Sequence, residues 1–498
     1  MAGPAMTYSL VDYADVQGLV RFGYGRMTSA SYALVRVKDV AAAKVWLRAA
    51  PVTNAVEKRP PPTAALQIAF TAPGLAKFGL PPSMMNGFSR EFRNGMSEDY
   101  RRRLLGDVDR NAPERWDWGG PGRELHLLVM FFAEPEHFDS FVQSTKGNTW
   151  SEAFEEVIWL GTSNLDGDEP FGFADGISQP QIDWDEQRQT PCTQLEYTNI
   201  VAVGEFLLGY RNEYGKITDR PLLDPDATNA ELLPAVDAPD KKDLGRNGTY
   251  LVMRQLEQDV REFWKFLYEH AGGNLAEAGQ LGTKMVGRTQ GGDPLLPIQD
   301  EPIPGTEPRT AKQNQFTYEA DPAGVRCPFG AHVRRTNPRN SDFPEQRIGA
   351  LRKLIIILGF GPKGFYNDLT SSVRFHRILR RGREYGSELS PEQALQSDLP
   401  NEPRGLHFIC LNANIARQFE FLQNAWIANT KFAGLTGESD PLLGNRRAPG
   451  CPVTDNFTMP CEGALPRRVS GLRQFVTVKG GAYFFLPSLR ALRYFAGA

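Results

Sequence analysis

Three stretches of this 498-residue chain concentrate side chains able to hold a metal or move a proton. In Cys327-Pro328-Phe329-Gly330-Ala331-His332-Val333-Arg334-Arg335-Thr336-Asn337-Pro338-Arg339, one histidine stands between a small apolar shoulder and a cluster of cationic and hydrogen-bonding side chains. A neutral imidazole can give a nitrogen lone pair to a metal, and the arginines two and three residues on can hold carboxylates. The Asn-Pro step argues for a turn at the end of this stretch. The second stretch is Gly172-Phe173-Ala174-Asp175-Gly176, and the third is His376-Arg377-Ile378-Leu379-Arg380-Arg381-Gly382. Taken singly, each has a plain structural reading: a surface histidine beside a basic loop, an aspartate in a glycine turn, an arginine in water at a strand end.

The elements that must position these residues read as a strand–helix–strand theme stated twice. Ser31–Lys38 alternates and is rich in strand formers, Val40–Ala50 is alanine-rich and helical, and Ala64–Phe70 is strand-like again. A short helix over Pro73–Phe78, an arginine-rich region from Ser89 to Gly119, a buried strand at Glu124–Phe132, a helix from Pro135 and a strand at Val157–Gly161 follow. This order predicts an α+β fold of the ferredoxin-like kind, a four-stranded antiparallel sheet with helices on one face. The second half repeats it with Gly248–Gln255, a helix over Asp259–His270, a strand candidate at Arg377–Arg381, a buried strand at Gly405–Asn412 and a helix over Ile415–Ala428. Gln474–Lys479, a Gly480-Gly481 break, Tyr483–Leu486 and a helix over Ser488–Ala496 close it. Two ferredoxin-like domains are expected, 1–190 and 246–498, joined by a linker at 191–245 in a dimeric α+β barrel-like arrangement. Asp166–Pro180, Asp219–Asp243 and Asp293–Pro308 are long Pro- and Asp-rich connections, and long loops in compact proteins tend to carry function.

Composition removes several function classes. A net charge of −3, from 56 basic and 59 acidic residues, leaves no nucleic-acid footprint and no attraction to anionic membranes. The longest apolar runs, Leu127–Ala133 and Leu354–Phe360, fall far short of the roughly 20 residues a membrane span needs. No basic and then apolar leader opens the chain, so a cytoplasmic protein is expected. The five cysteines never form Cys-x-x-Cys, which argues against a zinc site, a disulfide scaffold and covalent c-type haem attachment, although Cys451 and Cys461 could pair. Walker A, Gly-x-Ser-x-Gly, His-Glu-x-x-His and Rossmann patterns are absent from the sequence.

The three stretches in this order resemble the dye-decolorizing peroxidase family, in its larger bacterial and fungal-like branch. The early Asp15-Val16-Gln17-Gly18-Leu19-Val20 and the closing Phe475–Ser488 run are similar to that family too, so the resemblance spans nearly the whole chain. It implies a haem b bound non-covalently, mostly by the second domain, with His332 as the iron ligand. Such a ligand usually donates its other ring N–H to a carboxylate, for which Glu420 is the candidate. It further implies that Asp175 shuttles a proton between the two peroxide oxygens and that Arg380 stabilises charge on the departing one. Arg334 and then Arg339 are expected on the haem propionates. Tyr385 and Trp426 are candidate relays passing electrons from dyes too bulky for the pocket.

The activity implied is reduction of hydrogen peroxide with oxidation of dyes, phenols and other one-electron donors. The alternative is a protein that carries haem or releases its iron, with weak peroxidase activity; such a carrier needs no proton shuttle beside an arginine. The expected partners are peroxide and reducing substrates rather than nucleic acid or membrane, and a homo-oligomer is compatible with the sequence. Where some relatives carry Asn near the peroxide, this chain has Arg381-Gly382 after Arg380.

Overall fold

A computed structural model describes residues 11–186, 198–300, 303, 305–307, 310–340, 373–396, 401–446 and 453–497. The expected Leu354–Phe360 apolar run, Cys192 and Cys451 lie outside these residues.

In the first half, β1 (Ser29–Val37), β2 (Ala64–Phe70), β3 (Leu127–Ala133) and β4 (Phe154–Gly161) alternate with α1 (Val40–Ala49) and α2 (Pro135–Lys146). The side chain of Asp39 accepts the Ala42 N–H at the start of α1, satisfying a donor the helix itself leaves unpaired. A short hairpin follows, β5 (Asp168–Glu169) with β6 (Phe173–Ala174). The second half contributes β7 (Thr249–Gln258), α3 (Val260–His270), α4 (Leu275–Val286), α5 (His332–Thr336), β8 (Leu379–Arg380), β9 (Arg383–Tyr385), β10 (Gly405–Asn412), β11 (Val476–Leu486) and α6 (Leu489–Ala496).

All of these strands except β5 and β6 form one antiparallel sheet in the order β8-β10-β7-β11-β2-β3-β1-β4, with β9 also on β10. Each half repeats the second–third–first–fourth strand order of a ferredoxin-like unit, and β11 joins the halves by pairing Phe485 with Phe70. Alternate residues of β1 serve different cores, as the two-residue strand period demands. Ala33, Val35 and Val37 face the helices, while Tyr32 and Leu34 join Leu251, Met253, Ile409 and Leu411 of the second half. One interior therefore lies under strands of both halves. The sheet edges also approach: His407 on β10 is 2.9 Å from the Gly161 carbonyl, and the Ser163 N–H donates to Glu384.

Two local expectations change. Gly480-Gly481 does not break the last strand; the register slips there, with Gln255 opposite Gly480 and Leu256 opposite Val478, so Lys479 is the extra residue of a bulge. A side chain at Gly480 would overlap the Trp118 indole, so glycine is required by close packing. The helix expected over Ile415–Ala428 takes π-helical form at Ala416–Glu420 and Leu422–Ile427, a geometry frequent at functional sites. Among the described residues, no helix is long and apolar enough to cross a membrane.

Candidate active site

His332 opens α5, a five-residue helix bounded by Ala331 and Asn337. Its Nδ1 lies 2.9 Å from Oδ2 of Asp440, 108 residues later in the chain. Asp440 is fully buried, and its other oxygen accepts the Leu442 and Leu443 N–H groups, each at 2.9 Å. Burial alone would lower the His332 pKa, but the Asp440 charge and hydrogen bond raise it overall. Asp440 is also penalised by burial, yet His332 and Arg335 hold its carboxyl below the usual aspartate range. With Nδ1 committed to Asp440, Nε2 is the nitrogen whose lone pair is available, and the ring borders a cavity of about 260 Å³.

The same cavity is bordered by Asp175 and Arg380. Asp175 follows β6 directly, its N–H bonded to the Gly167 carbonyl, while Arg380 ends β8 with its N–H on the Gln179 side chain. Arg380 Nη1 donates to Asp175 Oδ1 at 2.6 Å across a separation of 205 residues. The Asp175 side chain keeps 41% of its surface because it faces the cavity. Burial pushes its pKa up, but Arg380 and the Gly176 N–H outweigh that and hold it below the usual aspartate range. A carboxylate held ionised beside a fixed guanidinium, in a cavity also reached by an imidazole lone pair, can accept a proton and stabilise nearby negative charge.

Three expected residues stand elsewhere. Glu420 does not touch His332; its carboxylate takes Arg101 Nη1 at 2.7 and 2.9 Å and the Tyr483 hydroxyl at 2.8 Å. Burial raises its pKa, against the lowering effect of Arg101. Arg334 is buried away from the cavity, donating to Asp321 Oδ2 at 3.0 Å and the Cys327 carbonyl at 2.6 Å between the Tyr318 and Phe329 rings. Arg339 donates to the Asn314 and Phe316 carbonyls at 2.9 and 2.8 Å. Helix phase explains the miss at Arg334. With about 3.6 residues per turn, His332, Val333 and Thr336 share the cavity face of α5, and Arg334 must point away.

Of the two candidate relays, Trp426 borders the cavity, whereas Tyr385 stacks on His407 at 4.5 Å outside it. Residues absent from the sequence reading complete the walls. Among the described residues, Arg254, Arg288 and Arg377 border the cavity as well as Arg380. Arg254, paired with Asp107, keeps Nε and Nη1 without a hydrogen-bond partner. Leu256, Leu406, Phe408, Val476 and Val478 give the sheet side an apolar wall. Asp440 had one sequence signal, an acid in a loop rich in glycine and proline, Gly434 to Gly444.

No protein-family model matches the chain. It is 28% identical to a dye-decolorizing peroxidase of Auricularia auricula-judae over 96% of this chain and 86% of that relative. A multifunctional dye peroxidase of Amycolatopsis sp. is 32% identical over 68% of this chain and 63% of its own. Among solved structures, a decolorizing peroxidase from Auricularia auricula-judae matches with a TM-score of 0.72 at 26% identity, covering 98% of this chain and 100% of that one. Likeness in sequence and in fold runs over nearly the whole length, and the chain belongs to the dye-decolorizing peroxidase family and is a peroxidase.

Proposed function

We propose that this peroxidase reduces hydrogen peroxide at a haem b ligated by His332 and draws its electrons from dyes, phenols and similar one-electron donors. One observation carries the reading: a histidine backed by a buried carboxylate borders the same cavity as an aspartate–arginine pair. A related solved structure, described as a dye-decolorizing peroxidase in complex with 2,6-dimethoxyphenol, supports phenols as donors.

The residues present fit such a group. Nε2 of His332 would hold its iron, the apolar wall of Leu406 and Phe408 would receive the flat macrocycle, and its carboxylates would find the cavity-lining guanidinium groups of Arg254, Arg288 or Arg377. The unpaired Nε and Nη1 of Arg254 are buried donors of the kind a carboxylate satisfies. When bound, haem would supply the electrons that cleave the O–O bond and hold the oxidising equivalents until donors replace those electrons.

The chain's own part is proton and charge handling. Asp175, ionised at working pH, takes the proton from one peroxide oxygen and returns it to the other, which leaves as water. Arg380 aligns that carboxylate and offsets negative charge as the bond opens. Asp440 keeps the His332 proton on Nδ1, so that Nε2 remains a donor of its lone pair. Trp426, at the cavity wall, is the relay candidate for donors too large to enter.

Two variants test the assignment. His332→Ala should fail to give the parent's Soret spectrum, and Asp175→Asn should keep the spectrum yet react with peroxide about 10²- to 10⁴-fold more slowly. Parent-like haem loading in the first, or parent-like peroxide kinetics in the second, would remove that residue's role.

A further inference from the structure

A second carboxyl group, Glu169, borders the cavity on the hairpin that delivers Asp175. Its oxygens accept the Phe171 and Phe173 N–H groups, both at 3.1 Å, and the Gln258 side-chain N–H at 2.5 Å. Gln258 stands on β7 and is itself 5% exposed, and its Oε1 has no hydrogen-bond partner. An amide can turn over and offer either end. Its NH₂ suits an ionised Glu169, while its carbonyl oxygen suits a protonated one. The hairpin thus accommodates both states without moving, and the idle acceptor is what the acid form would use.

The chemistry needs such a group. Hydrogen peroxide, two electrons and two protons give two water molecules. Asp175 only transfers one of peroxide's own protons to the departing oxygen; the oxygen that stays must gain two protons as donors supply two electrons. Asp175 has no proton of its own to give, because Arg380 keeps it ionised.

We propose that Glu169, as a neutral carboxylic acid, donates one of those protons to the oxygen that remains after the first water leaves. The Glu169 O–H bond breaks, one O–H bond of the second water forms, the electrons and the other proton come from the phenolic donor as it is oxidised, and solvent reprotonates the carboxylate. The inference rests on the peroxidase reading above.

The surroundings favour a stored proton. Burial pushes the Glu169 pKa up, opposed by the bonds from Gln258 and Phe171 and aided by the Asp175 charge, to about 7. Of the charged groups, Asp175 acts on it directly, and Arg254, Arg288, Arg377, His332 and His376 border the same cavity. Asp175 and its partner Arg380 lie along the cavity, Asp168 precedes it on the exposed side of the hairpin, and β7 presents the uncharged Gln258. Asp107, the other cavity-lining acid, is tied to Arg254.

Rapid mixing of the haem-loaded enzyme separates the two half-reactions. In the parent, return of the peroxide-treated enzyme to its resting spectrum by a phenol should slow as pH rises through about 7. In Glu169→Gln, whose new amide can bond a turned Gln258, that return should be slowed about 10²-fold or more and lose the pH dependence. The initial reaction with peroxide should be slowed far less than the return. A carbonyl infrared band of a protonated carboxylic acid should titrate with the same midpoint and vanish in Glu169→Gln. An unchanged return rate with the same limb, or equal slowing of both half-reactions, would overturn the proposal. Failure of the underlying reading would look different: the parent itself would show no spectral change with peroxide.

Discussion

Asp440→Asn alters a single atom behind His332, and its effect can be worked from the contacts. Oδ1 of Asp440 accepts two backbone N–H groups, from Leu442 and Leu443, so an asparagine must keep its carbonyl oxygen there. Its NH₂ then takes the place of Oδ2 and points a donor at Nδ1 of His332, where the carboxylate had been an acceptor at 2.9 Å. Nδ1 must become the acceptor and the ring proton moves to Nε2, which removes the lone pair a metal needs. The lost hydrogen bond to a charged group is worth about 1.5–3 kcal/mol, roughly 10- to 140-fold in an equilibrium constant. That agrees with the roughly 10- to 100-fold loss typical when such a partner of a metal-bound histidine is replaced. Titrating cofactor-free protein with haem while following the Soret band reads the affinity directly. Binding within about two-fold of the parent, with an unchanged spectrum, would refute the tautomer argument.

Further outcomes follow from the same contacts. Because Arg380 holds Asp175 below the usual aspartate range, the acid limb of peroxide reactivity should lie below that range; Arg380→Leu removes the counter-charge and should move the limb to higher pH, read by the peroxide reaction rate across an acid series. An unmoved limb would assign it to another group. Arg101→Ala strands the buried Glu420 carboxylate and should cost about 3–5 kcal/mol of stability, seen by denaturant melts, while the haem spectrum of the folded fraction stays that of the parent. A spectral change without destabilisation would return Glu420 to the site. Gly480→Ala forces a methyl against the Trp118 indole and should destabilise by about 1–3 kcal/mol without changing peroxide kinetics; a neutral effect would mean that the indole moves freely.

The strand and helix pattern was readable because the period-2 and period-3.6 apolar patterns fall on elements buried on at least one face. It could not reveal that β1 is buried on both faces, since Tyr32 and Leu34 find partners in β7 and β10, in the other half of the chain. At the site, motif order singles out Asp175 and Arg380, but their 2.6 Å contact depends on tertiary structure alone. Arg334 lies off the cavity, and the helix phase that puts it there is present in the sequence: a five-residue helix between Ala331 and Asn337 has one cavity face, and position 334 is not on it. Glu420 attracted the reading because it sits on a patterned helix, whereas Asp440 lies in a loop with no period to expose it. Glu169 and Gln258 were missed for a related reason. Each looks ordinary in sequence, and only the hairpin and β7 bring the pair together.

The strand Val476–Leu486 carries a consequence for the order of assembly. It supplies Val476 and Val478 to the cavity wall, pairs along the whole of β7, and makes the Phe485–Phe70 join between the halves. A nascent chain emerges from its N-terminus, so Asp175 and His332 are both synthesised well before this strand exists. Until then the pocket has an open side and the sheet lacks its Phe485–Phe70 join, and the contacts that remain to be made span long stretches of sequence and are slow to form. Haem capture should therefore follow synthesis rather than accompany it. Ribosome-stalled chains ending before Val476 should bind haem far more weakly than chains released at full length, and equal binding would show that the second half closes its pocket without the strand.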